Sequence, residues 1–180
     1  DRARELARTM VQIGEDNGVR TTALLTRMDT VLGRAAGNAV EVQESLDILD
    51  GGGPRDVVEV TVALAAEMLS LAGIDADPES VLASGAVRPV FDAIVAAQGG
   101  DVHAGLPEAE HRQTVNAPRS GWVTRLDCLS VGIAVWRLGA GRAHKDDPVS
   151  PVAGAICLKK PGEQVTQGEP IVELRAEDPR

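Results

Sequence analysis

A glycine-rich turn that leads into a capped helix holds the residues whose types and spacing favour ligand chemistry. Gly33 and Gly37 admit backbone conformations that other residues resist, so main-chain carbonyl groups can be directed toward one point. Glu44, in the first two turns of the following helix, can add a carboxylate there. Such hard oxygen ligands suit an alkali or alkaline-earth cation. The alternative is an ordinary helix start with Glu44 in solvent. Residue types alone favour this alternative, because helix caps are common and oxygen cages are rare.

The helix after this turn has a recognisable start. Asn38 is a suitable N-cap, and Glu41 stands three residues later, where its carboxylate can reach back to the N–H of the cap residue. Val42, Leu46 and Leu49 follow at helical spacing and predict one buried stripe. A run of glycines ends the helix.

Two other groups of residues are weaker candidates. The segment 139–145 combines two glycines with three potential cations, so it could hold an anion through backbone N–H groups and Arg142. A solvated turn is the default interpretation, because the segment does not join a strand to a helix as a dinucleotide fingerprint does. His103 and His111 have no acid or nucleophile at an informative spacing, and no Ser-His-Asp or Cys-His set can be argued.

The surrounding elements alternate at the front of the chain. A short apolar run at residues 23–26 predicts a buried strand, and the glycine turn then falls at its carboxyl end, where open α/β sheets bind ligands. Apolar periodicity predicts helices over 2–16, 38–49, 56–72, 77–84 and 87–98. Residues 1–100 are therefore expected to form an α/β part, a partial sheet with several helices.

The pattern changes after a polar connector at residues 101–112. Alternating residues predict strands at 114–117, 121–126, 155–158 and 171–174, with a helix at 130–138. Glycines and prolines between the last strands are typical of tight turns. Residues 113–180 are expected to form a small α+β barrel-sandwich domain whose end resembles half of a biotinyl/lipoyl-type hammerhead.

Lys159 and Lys160 lie in this half-hammerhead and raise the alternative of a non-enzymatic carrier or interaction module. A carrier lysine sits in a hairpin flanked by Met or Asp, and that sequence is missing here. We therefore expect both lysines to be exposed charges beside a turn.

Composition restricts the function classes. The net charge of −9 argues against a nucleic-acid partner, which favours a basic surface. No apolar run has the length of a membrane span, and no hydrophobic signal-like segment follows the N-terminus. Two cysteines are too few for a disulfide framework or a complete zinc site, so a reduced cytoplasmic location is the simplest expectation.

Several motifs in order along the chain resemble the thymidine phosphorylase / pyrimidine nucleoside phosphorylase family. They lie at residues 19–29, 32–33, 37–42, 53–56, 96–101, 138–142 and 159–162. The resemblance implies a parent enzyme that converts thymidine and phosphate to thymine and 2-deoxyribose 1-phosphate. It also implies a potassium ion held partly by the main-chain oxygens of Leu32 and Ala35 and by the side chain of Glu44.

The resemblance also identifies what this sequence lacks. In the family, the residues that bind phosphate and the pyrimidine base precede the region that matches Asp1, and so do the remaining potassium ligands. The resemblance therefore implies a C-terminal portion that is inactive alone, and a parent that forms a homodimer through a helical N-terminal region. The loop that corresponds to 139–145 is implied to be the edge of a mobile lid.

Overall fold

A computed structural model describes residues 2–178 of the chain. Within them, six α-helices and six short strands are found, and a π-helical turn, Trp136–Ala140, follows the last helix. The helices are α1 (Arg2–Asp16), α2 (Ala39–Leu49), α3 (Arg55–Ala72), α4 (Pro78–Ala83), α5 (Val87–Ala97) and α6 (Cys128–Val135). The strands are β1 (Ala35–Gly37), β2 (His111–Asn116), β3 (Gly121–Trp122), β4 (Gly154–Cys157), β5 (Gln164–Val165) and β6 (Pro170–Ala176).

The start of α2 differs in detail from the prediction. Glu41 accepts a hydrogen bond from the N–H of Gly37 (2.8 Å). Asn38 makes no side-chain cap, because its amide instead donates to the carbonyls of Ala140 (3.0 Å) and Ser150 (2.7 Å). The Asn38 side chain therefore ties the glycine turn to the base of the 139–150 loop.

The buried face of α2 is also rotated from the predicted one. Val40 and Ile48 are buried, whereas Val42 is 40% exposed. Leu46 and Leu49 are half-buried. The predicted buried stripe was thus wrong for Val42, because α2 packs mainly on β1 and β4 through the face of Val40.

Antiparallel pairing joins the front and the back of the chain in one sheet. The strand order is β1-β4-β6-β2, with Ala35 opposite Ile156 and Cys157 opposite Val172. Strands β3 and β5 form a second, two-stranded sheet. The chain is thus a mixed α/β structure in which β1, from the glycine turn, forms the edge of the C-terminal sheet.

The strand predicted at residues 23–26 is wrong. This segment has no regular secondary structure, and Leu24 and Leu25 are 41% and 52% exposed. A buried strand of a parallel sheet requires neighbouring strands and covering helices. Among residues 2–178, no strand pairs with this segment, so its apolar character alone does not make it a strand.

Small side chains build the core at the junction of β1, α2 and β4. Ala153 and Cys157 are fully buried there, beside Ala155 and Ala35. The predicted helices α1, α3, α4 and α5 also form, but none of their residues is buried, and Met10 on α1 is 59% exposed. Within residues 2–178, no helix combines the length and the apolar character that crossing a bilayer requires.

Candidate cation site

The glycine loop, residues 31–37, is held on one side by Glu44. This side chain projects from α2, and its Oε1 accepts hydrogen bonds from the N–H groups of Arg34 (2.9 Å) and Ala35 (3.0 Å). The close approach depends on Gly33, which has a left-handed φ of 66°. A Cβ at that position would overlap Glu44 Oε2. The absent side chain of Gly33 therefore makes the space that the Glu44 carboxylate fills.

Asp56 holds the same loop from the first turn of α3. Its Oδ2 accepts a hydrogen bond from the N–H of Gly33 (3.2 Å) and lies 2.5 Å from Lys160 Nζ. Partial burial raises the pKa of the Asp56 carboxyl, but the hydrogen bonds from Lys160 and Gly33 outweigh it and lower the pKa below its usual value. Asp56 is thus a charged anchor for the loop.

Lys160 reaches the loop from the C-terminal part of the chain. Its ammonium group donates to the carbonyls of Val31 (2.9 Å) and Gly33 (2.7 Å) as well as to Asp56. The side chain is only 17% exposed, so the expectation of an exposed charge was wrong. Lys159 is likewise engaged, by Glu169 at 2.6 Å. Each lysine stays within reach of a carboxylate, and this explains why neither extends into solvent.

Arg34 adds a second link across the same junction. Its guanidinium donates to the carbonyl of Leu158 (2.8 Å) and pairs with Glu163 (2.5 Å). The Arg34 side chain and the N–H of Lys160 lower the pKa of Glu163. The carbonyl of Arg34 accepts from the N–H of Cys157 (2.7 Å), which continues the β1–β4 ladder.

The three predicted ligands line one cleft. Leu32, Ala35 and Glu44 all border a cleft of about 430 Å³. Both polar groups of a strand residue face the same side. Because the N–H of Ala35 donates to Glu44, the carbonyl of Ala35 faces the Glu44 side as well. Among the described residues, no hydrogen bond to the carbonyl of Leu32 is found. An all-oxygen set of this kind suits an alkali or alkaline-earth cation.

Two backbone donors of the loop that was considered for anion binding are occupied. The N–H groups of Ala143 and His144 both donate to Asp147 Oδ2, at 3.0 and 2.8 Å. Arg142 donates to the carbonyl of Lys145 (3.1 Å). The carboxylate of Asp147 thus takes the place that an anion would need, in agreement with the default interpretation of a turn.

Sequence reasoning missed the part that Asp56, Lys160 and Arg34 play in the site. Asp56 and Lys160 are 104 residues apart and lie in different predicted parts. The sequence carried one usable signal, two adjacent lysines before a Pro-Gly turn, because the turn determines where these long cationic side chains leave the backbone. The partner of that cation could not be found without the tertiary structure.

Comparisons with known proteins agree with this arrangement. Residues 122–180 match the family described as pyrimidine nucleoside phosphorylase C-terminal domain, and residues 1–88 match the glycosyl transferase family a/b domain. A thymidine phosphorylase of Mycobacterium tuberculosis is 50% identical over 178 residues, which cover 98% of this chain and 42% of that protein. A pyrimidine-nucleoside phosphorylase of Staphylococcus aureus is 36% identical over 186 residues, which cover 97% of this chain and 43% of that protein.

These matches run through both parts of the chain. The chain spans about two fifths of the length of the curated relatives that it matches. The C-terminal domain match includes Lys160 and Glu163, whereas the a/b domain match includes the glycine loop and Glu44. The chain therefore belongs to the thymidine phosphorylase / pyrimidine nucleoside phosphorylase family, of which it represents a C-terminal portion.

Proposed function

We propose that this chain is the C-terminal portion of a pyrimidine nucleoside phosphorylase that acts on thymidine. In the reaction, the bond between the base and the sugar C1 breaks and a phosphate oxygen bonds to C1. Thymine leaves with a proton, and 2-deoxyribose 1-phosphate forms. The observation that carries the proposal is the glycine loop, held by Glu44 and Lys160 in a chain that matches the family in both of its parts.

The proposed role of the glycine loop is to supply half of a potassium site. The carbonyls of Leu32 and Ala35 and the carboxylate of Glu44 would hold the ion. When bound, the ion would supply a positive charge that holds these oxygens together. Gly33 keeps the Glu44 carboxylate close to the loop, and Glu44 keeps the Ala35 backbone turned toward the site.

The rest of the chain would form one wall of a closing active site. Catalysis would depend on positioning and electrostatic stabilisation as domains close. Residues 113–180 would be the half-hammerhead domain that follows the α/β part. Because the groups that bind phosphate and base are expected outside this chain, we expect the chain alone to be inactive. The parent enzyme would be a cytoplasmic homodimer.

The alternative is a carrier or interaction module of the biotinyl/lipoyl type. A carrier lysine must be free to extend into a partner enzyme. Lys159 pairs with Glu169 and Lys160 with Asp56, and their side chains are 24% and 17% exposed. These contacts favour the phosphorylase. Incubation with lipoate- and biotin-attachment enzymes, followed by intact mass measurement, is expected to add no mass. Added mass on either lysine would favour the carrier.

A chimaera tests the proposed reaction. This chain replaces the matching region of the Mycobacterium tuberculosis thymidine phosphorylase, and chromatography measures phosphate-dependent release of thymine. We expect the chimaera to turn over thymidine and the chain alone to release none. Turnover by the chain alone, or a folded chimaera that binds phosphate but releases no thymine, would contradict the proposal.

A further inference from the structure

The ammonium group of Lys160 occupies a cation position that the glycine loop itself builds. Its three hydrogen-bond partners are oxygens: the carbonyls of Val31 and Gly33, at 2.9 and 2.7 Å, and Asp56 Oδ2, at 2.5 Å. An ammonium group prefers this set of neighbours for the same reason as an alkali cation does, since both are stabilised by several oxygens around one positive charge. The loop thus already holds one cation, and that cation is covalently part of the chain.

This first cation determines which way the loop faces. Lys160 binds the carbonyls on both sides of Leu32, and the N–H between them, that of Gly33, donates to Asp56. The Leu32 carbonyl is left out of this set. On the opposite side, Glu44 binds the N–H groups of Arg34 and Ala35. The polar groups of the loop are therefore divided between two sides, one held by Lys160 and Asp56, the other by Glu44.

We propose that Lys160 is a positioning residue for the cation site, a tethered cation that turns the Leu32 and Ala35 carbonyls toward Glu44. The inference rests on the potassium site proposed above. Lys160 belongs to the C-terminal part and the loop to the front part, so the C-terminal part sets the geometry of a site to which it contributes no ligand. Loss of the Lys160 ammonium frees the carbonyls of Val31 and Gly33, and the loop loses its fixed orientation.

A simple charge effect of Lys160 predicts the opposite change in cation affinity when this residue is replaced. If Lys160 acted only as a nearby positive charge, its removal would relieve repulsion and tighten the binding of a second cation. A positioning role predicts weaker binding. Removal of a group that orients metal ligands typically weakens binding about ten- to hundredfold. The direction of the change in affinity therefore separates the two roles.

The test compares Lys160→Met with Lys159→Met in the 180-residue chain. Both variants lose one positive charge on adjacent residues, but Lys159 pairs with Glu169 in its own domain and does not touch the loop. Lys160→Arg is the conservative variant. Amide hydrogen exchange measures the order of the loop without any added ion. Thallium(I) titration followed by thallium NMR measures cation binding by the chimaera described above, in which the remaining ligands are expected, with each substitution introduced into it.

We expect Lys160→Met to speed exchange of the Arg34 and Ala35 amides about tenfold or more, the effect of losing a charged hydrogen-bond donor. In Lys160→Met, amide exchange in α3 and β6 should stay unchanged. In Lys159→Met, amide exchange should stay unchanged in the glycine loop as well as in α3 and β6. We expect thallium(I) to bind Lys160→Met about ten- to hundredfold more weakly, with partial recovery in Lys160→Arg.

Unchanged exchange in the loop of Lys160→Met would overturn the inference, and so would tighter thallium(I) binding by that variant. Absence of thallium(I) binding by the unmodified chimaera would instead overturn the proposed potassium half-site. The exchange measurement would still decide the role of Lys160 in that case, so the two failures are distinguishable.

Discussion

Replacement of Gly33 by alanine should damage the glycine loop by two separable effects. The first is local, because a residue with a Cβ is strained at the φ of 66° found there. The second is a collision, because the new Cβ would overlap Glu44 Oε2 and lie 2.8 Å from Val57 Cγ2. The Glu44 carboxylate must then withdraw from the N–H groups of Arg34 and Ala35.

The size of each effect follows from its cause. Left-handed backbone costs a non-glycine residue about 1–2 kcal/mol. A hydrogen bond to a charged group contributes about 1.5–3 kcal/mol, and water can replace part of it in a half-buried loop, so we take about 2 kcal/mol for both Glu44 bonds together. Gly33→Ala should therefore lower the free energy of unfolding by about 3–4 kcal/mol.

Gly73→Ala is the matched control, because Gly73 has a φ of 70° and no atom lies within 4 Å of the position that a new Cβ would take. Urea unfolding should show a loss of only about 1–2 kcal/mol for this variant. The difference of about 2 kcal/mol corresponds to about 1 M in the urea midpoint. In a Glu44→Ala background, the cost of Gly33→Ala should fall by about the 2 kcal/mol assigned to the two Glu44 bonds, and only the backbone strain and the contact with Val57 Cγ2 should remain. Equal losses for the two glycine variants, with the Arg34 and Ala35 amides still protected from exchange, would refute the close contact between Gly33 and Glu44.

Three further predictions concern other contacts. The pKa values of Asp56 and Glu163 are lowered in the folded chain, so the stabilisation from these two carboxylates is complete above their ordinary pKa values of 3.8 and 4.5 and is lost as the pH falls through the lower folded-state values. The urea midpoint should therefore fall as the pH is lowered across this range. A urea midpoint that does not change with pH would contradict both ion pairs. Asn38→Ala should lower the free energy of unfolding in urea by about 1–2 kcal/mol and speed amide exchange in residues 139–150, because two carbonyls lose their donor. Unchanged amide exchange in these residues would contradict the link between Asn38 and the loop. Cys157 is buried, and burial raises the pKa of its thiol. A thiol reagent should therefore modify Cys128 in the folded chain and react with Cys157 only in urea. Equal reactivity of the two thiols without urea would contradict the packing of β4.

Local sequence signals predicted the helices of this chain well. The ranges predicted for α1 and α3, 2–16 and 56–72, match the observed helices to within one residue, and Gly18, which follows α1, has a φ of 72°. The hydrogen bonds and caps that set the ends of a helix join residues a few positions apart, so local signals can predict where a helix begins and ends. The segment at 23–26 failed because a strand also requires partners, which its own composition cannot supply.

The candidate site could be predicted only in part. The glycine turn and Glu44 are close in the sequence, with Arg34 ten residues before Glu44, and turn chemistry with helical spacing brings them together. Leu32 and Ala35 were named through resemblance, and whether they bind an ion stays a prediction. Lys160 and Asp56 meet only because β1 pairs with β4, which carries residues 158–163 to the loop. No pattern in the sequence identifies that pairing of an isolated three-residue strand.

Anomalous scattering from thallium(I) tests the cation site most directly. Crystals of the chimaera described above would be grown in thallium(I), and the anomalous difference map would locate the ion. We predict a peak bonded to the carbonyl oxygens of Leu32 and Ala35 and to the carboxylate of Glu44, with Lys160 still on the other side of the loop. A map with thallium(I) bound elsewhere and none at this position, or with either carbonyl turned away from Glu44, would contradict the account.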